Sequence, residues 1–376
     1  MSRLALGELG FRPFYLLASL FAALSVGLWA AQYTGRLDGA YLAGAAWHAH
    51  EMLFGYTMAV IAGFLFTAVR NWTQRPTPQG ALLAGFALLW LAGRILVLTP
   101  YALAAAVVNV AFPFAVAAGI AVPLLRSGNR RNYFFIALLA AMDVMALCIH
   151  LALMGRIIWP ARAGLQVELD LVLFIVAVIA GRVVPMFTNN GVPGAGARRT
   201  PWAERLSLGS LVALLAIDLA GFKGAAGIVA VFAAIVHCWR LALWSPWKTL
   251  RTPLVWILHA SYAWIVVHLA LRGLADAGLV APTLAIHALT IGVIGGMTLG
   301  MMTRTARGHS GRALVAGRAE VACYVLVMTA GLVRVFGGWL LPEAYLATVS
   351  VSAACWSAAF LLYFARYLPI LALKAI

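Results

Sequence analysis

Of the 376 residues, 64% are hydrophobic and 10% charged, a balance that no soluble fold holds without exposing most of its apolar surface. Apolar runs of bilayer-crossing length recur from end to end, so the chain reads as all-α, one polytopic transmembrane domain over residues 1–376. The net charge of +16 does not point to nucleic acid, because the 27 Lys and Arg are scattered through short inter-helix segments instead of gathered on one face or tail.

The first apolar run, 13–33, follows Arg3 and Arg12 and precedes no small-residue cleavage site, which predicts an uncleaved first helix. Gly, Pro and charged breaks then delimit runs at 46–70, 80–99, 102–126, 132–154, 166–189, 204–222, 224–245, 254–274, 282–305, 317–339 and 344–368. That makes about twelve transmembrane helices in a lipid bilayer. With the N- and C-termini cytoplasmic, the tails and connections on that side carry 19 Lys and Arg against 7 on the other, which satisfies the positive-inside rule. Arg182 is then the one basic residue left inside a helix. Cys148, Cys238, Cys323 and Cys355 fall within apolar runs with no C-x-x-C pair and read as small core residues.

Orientation assigns each histidine a depth. His48, His50 and His287 enter on the outer side, His150 closes the fifth helix there, and His268 lies in the outer half of the ninth. His237, His259 and His309 lie toward the cytoplasm.

The second helix opens Trp47-His48-Ala49-His50-Glu51-Met52, three metal- or proton-binding groups in a segment that must enter hydrocarbon. His48 and His50 stand about 200° apart on a helix, whereas His48 and Glu51 are one turn apart. Neutral imidazole suits haem iron and copper, and facing helices of an apolar bundle can supply axial nitrogens. His48, His50 and His287 are therefore the leading ligands, with His287 facing the second-helix cluster. His259 and His309 come next, with Tyr262 one turn from His259 and placed to orient it or exchange a proton. A histidine at a helix end can equally cap backbone carbonyls, which is the reading for His268. If chemistry occurs, Glu51, Glu168 or Asp170 would pass protons. Arg182 and Arg304 are candidates for gripping propionates, phosphates or a quinone headgroup.

Gly63, Gly181 and Gly296 are spaced by 118 and 115 residues on the second, sixth and tenth helices, which hints at three four-helix units. Gly292, Gly295, Gly296 and Gly300 would let the tenth helix approach a neighbour or a flat cofactor.

Phe11-Arg12-Pro13-Phe14, Trp47 through Gly55, Gly63-Phe64-Leu65-Phe66-Thr67-Ala68-Val69 and Arg304 through Arg312 resemble the NnrS family. So do Asn71-Trp72-Thr73, Gly181-Arg182-Val183-Val184-Pro185, Pro253 through His259 and His287-Ala288-Leu289-Thr290, in the family's order over nearly the whole chain. Arg70 departs from the proline more usual before Asn-Trp-Thr, and Asp143 stands where asparagine is expected. The resemblance implies a multi-pass protein of the bacterial inner membrane that contains haem b and copper. It further implies a role in denitrification and in defence against nitric oxide and the iron-nitrosyl species it forms.

The twelve-helix plan with a three-by-four build is also similar to haem-copper oxidases, although the sixth helix has no histidine and no His-His pair occurs. The leading expectation is a His-ligated metal that binds or reduces nitric oxide. If it is an enzyme, it is a nitric oxide reductase-like oxidoreductase fed by a quinol or another electron donor. The alternative is a transporter or delivery protein for copper or iron-nitrosyl species.

Overall fold

The computed structural model describes residues 4–37, 39–222 and 224–373. Twelve apolar helices dominate them, as hydrocarbon requires, because a helix satisfies every backbone N–H and C=O within its own segment. They are α1 (Phe11–Tyr33), α2 (Gly44–Thr73), α3 (Gly80–Leu96), α4 (Ala102–Ser127), α5 (Phe134–Leu153) and α6 (Ala161–Gly191). The second half holds α7 (Pro201–Ala220), α8 (Ala225–Leu243), α9 (Pro253–Asp276), α10 (Pro282–His309), α11 (Arg318–Leu340) and α12 (Tyr345–Ala372). Ten segments are long and apolar enough to cross a bilayer, and α3 is a shorter apolar helix. The remaining one, α7, carries Glu204, Arg205 and Asp218 within its 20 residues. The helices start and stop within a few residues of the apolar runs read from the sequence.

The chain forms two compact units. The first holds residues 1–169, 309–311 and 363–376; the second holds 170–308 and 312–362. The division falls inside α6 and follows no four-helix boundary.

In the first unit the Phe-Arg-Pro-Phe and Gly-Phe-Leu-Phe-Thr strings hold each other. The Thr67 hydroxyl donates to Gly63 O at 2.8 Å and accepts the Phe11 N–H at 3.1 Å, so α2 caps the start of α1. The Arg12 guanidinium donates to Leu371 O at 3.0 Å and closes the C-terminal end of α12. Side chains at Gly10 or Gly63 would collide with Phe66 and Phe14, which explains the small residues there.

In the second unit the glycine face of α10 is occupied by helix packing. Gly292 meets Trp264, Gly295 meets Trp356, Gly296 meets Ser261 and Met328, and Gly300 meets Leu258 and Ile257. Of the two partners the sequence allowed for this face, the neighbouring helix takes it. The three spaced glycines meet unlike partners: Gly63 meets α1, Gly181 meets Arg240 of α8, and Gly296 meets α9 and α11.

Two helices that carry candidate ligands widen into π-helical turns directly after a histidine, at Glu51–Thr57 in α2 and at Ala288–Gly295 in α10. Such insertions recur at functional sites, because the extra residue turns the side chains that follow to a new direction.

Candidate functional site

In the first unit a chain of buried polar groups runs from the α1–α2 connection into the bundle. The Tyr41 hydroxyl lies 3.2 Å from His150 Nδ1, and His150 Nε2 lies 3.2 Å from His50 Nε2. His50 Nδ1 is 2.8 Å from Glu51 Oε1, which also forms an ion pair with Arg94 Nη1 at 3.0 Å. Arg94 continues to the Asn109 amide oxygen, and Asn109 Nδ2 donates to Ala105 O at 2.8 Å. His50, His150 and Glu51 are 1% exposed or less.

The pattern of donors fixes the tautomers. A carboxylate only accepts, so His50 carries its proton on Nδ1 and turns a lone pair out through Nε2. His150 answers with its own Nε2, and Tyr41 stands behind its Nδ1. Tyr41 lies outside the spans, and its burial pushes the phenol up to about 12, so it remains a hydroxyl capable of donating to Nδ1. A second acceptor for that hydroxyl, His150 O, is 3.4 Å away.

This arrangement differs from the sequence expectation in the partners of Glu51 and of His50, and agrees with it on the two faces of α2. Glu51 serves His50 and Arg94 instead of His48. His48 lies on the opposite face of α2, with its ring 5.1 Å from that of Trp29, as the angular separation of the two histidines requires. The partner found for His50 is His150, which has no motif around it. The sequence signal for this site was Arg94, a charge inside the apolar run 80–99. Arg182 is accordingly not the one basic residue inside a helix: Arg94, Arg240 and Arg272 lie within α3, α8 and α9, and the first two are buried. The helical spans absorb them because each has an acidic partner.

In the second unit Tyr262 does not bond to His259. Its hydroxyl lies 2.6 Å from His237 Nδ1 and accepts from Arg240 Nη1 at 3.0 Å. Arg240 grips Glu204 through Nε at 3.0 Å and Nη2 at 2.6 Å. His237 Nε2 donates to Ser207 O at 3.2 Å. Every polar atom of the His237 ring is satisfied, the mark of a structural network.

His259 is held differently. The Thr188 hydroxyl gives its proton to Val184 O at 2.7 Å and so accepts from His259 Nε2, 2.8 Å away. The lone pair of His259 Nδ1 is therefore unprotonated, buried and without a hydrogen-bond partner. His268 shows the mirror arrangement: Nδ1 donates to Ala285 O at 2.8 Å, and Nε2 is buried without a partner. His287 is half-buried and donates from Nδ1 to Thr283 O at 2.7 Å.

Arg304 lies 3.7 Å over the Phe187 ring, Arg182 is half-buried in α6, and the exposed His309 ring in the first unit packs 5.6 Å from Phe11. Glu168 is fully buried, and neither of its oxygens has a hydrogen-bond partner.

Among the described residues no three His, Cys, Asp or Glu side chains converge as a metal group. The two facing Nε2 atoms of His50 and His150 nevertheless fit one ion: His50 donates from Nδ1 to Glu51 as ligand histidines do, and the Tyr41 oxygen stands behind His150 Nδ1. The orphaned Nδ1 of His259 would offer haem iron a nitrogen lone pair.

Fold and site together define a multi-pass helical membrane protein with paired and anchored histidines in its interior. The family model described as NnrS protein matches residues 5–374, and the chain belongs to that family. No individual curated protein matches it.

Proposed function

We propose that the protein is a haem- and copper-containing membrane protein of nitric oxide metabolism, in which His50 and His150 hold copper and His259 holds haem iron. The carrying observation is the facing pair of Nε2 atoms 3.2 Å apart, buried and braced on both outer sides. A bound metal would supply a reducible centre that accepts nitric oxide or an iron-nitrosyl species. Glu51 accepts from His50 Nδ1–H and so keeps the Nε2 lone pair free for the ion it would hold, while Arg94 balances the carboxylate charge. On the other side His150 would shift its proton to Nδ1 and donate it to the Tyr41 oxygen. The Tyr41 hydroxyl then turns to the His150 carbonyl, so binding needs no net proton release. The resemblance over nearly the whole chain supports a bacterial inner-membrane setting, and a quinol or another donor would supply the electrons.

The test is copper and haem content of purified wild type, His50→Ala, His150→Ala and His259→Ala, with reduced-minus-oxidised spectra before and after anaerobic nitric oxide. Copper should fall in the first two variants with haem retained, and the haem bands should change in the third. Unchanged metal contents across all variants overturn the ligand assignment, and spectra indifferent to nitric oxide overturn the nitric oxide reading.

A further inference from the structure

Helix α9 carries a second line of titratable groups, separate from the metal reading. Asp276, Arg272 and His268 recur every four residues and so lie on one face, each about 6 Å further along the axis. Asp276 lies in a surface groove of about 520 Å³ lined by Gly224, Gly227, Ile228, Val231 and Gly273, and accepts the Gly227 N–H at 3.1 Å. One turn deeper, Arg272 bridges two helices: it donates to Asp170 of α6 at 2.7 Å and to Asp218 of α7. The Asp170 and Asp218 carboxylates thus share one guanidinium. One turn deeper again is His268, 2% exposed, with its Nε2 unpartnered and Arg272 and Asp218 as its charged neighbours.

Charge counting determines what this line holds. One guanidinium between two ionised carboxylates leaves a net charge of minus one in hydrocarbon, which is costly. One added proton removes it. On a carboxyl the proton makes the cluster a single ion pair. On His268 Nε2 it makes the cluster two cations against two carboxylates. Both arrangements are neutral, so transfer between them changes no net charge.

We infer that Asp276, the Asp170–Arg272–Asp218 cluster and His268 form a proton-access path, holding one exchangeable proton between the carboxyl pair and His268 Nε2. Among the described residues the neighbouring helices bring no competing group to it. On α8, His237 and Arg240 are committed to Tyr262 and lie toward the other end of the helix. On α10, His287 is turned to Thr283 O, and on α11 Arg334 reaches Tyr345. On α6, Glu168 lies two positions before Asp170 and points about 160° away around the helix.

The experiment is infrared spectroscopy of the purified full chain, following the carbonyl stretch of protonated carboxyl groups as water is exchanged for deuterium oxide. Asp170→Asn and Asp218→Asn should each remove one carboxyl's intensity. Asp170→Glu and Asp218→Glu, which retain the carboxyl and the fold, should shift the band instead. Asp276→Asn should leave the band but slow its deuterium shift at least tenfold, and His268→Phe should raise its intensity. A band indifferent to all four changes at 170 and 218 overturns the shared proton, and exchange at the wild-type rate in Asp276→Asn overturns the path.

Discussion

His50 and His150 come from helices a hundred residues apart, yet their Nε2 atoms face each other at 3.2 Å in a fully buried setting. Two imidazoles meeting nitrogen to nitrogen repel unless a proton or a metal ion lies between them. With Glu51 accepting from His50 Nδ1 and Tyr41 donating to His150 Nδ1, the intervening proton sits on His150 Nε2, the place a bound ion would take.

The Glu51–Arg94 pair supports that geometry. Arg94→Met leaves a buried carboxylate without its cation, and losing one partner of a buried pair costs about 3–5 kcal/mol. Thermal unfolding in detergent should show this loss. The Glu51→Gln/Arg94→Met double variant should recover part of it, and a double variant as unstable as the sum of the singles contradicts the coupling.

Tyr41 supplies a pH signature outside the spans. Its folded value, about 12, lies above the ordinary 10.0, so its contribution to stability is complete below pH 10 and is lost as pH rises from 10 towards 12. Alkaline unfolding of wild type should steepen over that window relative to Tyr41→Phe. Superimposable profiles would place Tyr41 in water.

Thr67 tests the junction of the two family motifs. Thr67→Ala removes the acceptor for the Phe11 N–H and should cost about 1 kcal/mol, as loss of a helix cap does. Thr67→Ser keeps the oxygen and should retain the melting temperature.

Glycines separate close approach from open space. Gly181→Ala places a methyl on the Arg240 guanidinium and should displace it from Glu204, costing about 3 kcal/mol. Gly209→Ala, mid-helix with nothing near its Cβ, should gain about 0.5–1 kcal/mol. Equal effects at the two sites would refute the contact.

The spans were legible in the sequence because crossing a bilayer is a local demand: some twenty apolar residues in one helix satisfy it whatever their neighbours do. The opposite faces of His48 and His50 were legible for the same reason, since they follow from helical periodicity alone. Partners were not. His150 has no motif around it, and Tyr262 stands as near to His259 along the chain as any true partner would, yet its hydroxyl bonds to His237 and Arg240. Arg94, Arg240 and Arg272 counted toward topology in the sequence, and only the fold supplied Glu51, Glu204, Asp170 and Asp218 opposite them.

By itself, then, the sequence determined the environment, the helices and the family, all set by composition, periodicity and contiguous motifs. The tertiary structure alone decided which polar groups meet. In hydrocarbon, hydrogen bonds and ion pairs are formed between helices distant in the chain, and no local pattern encodes which helix stands opposite.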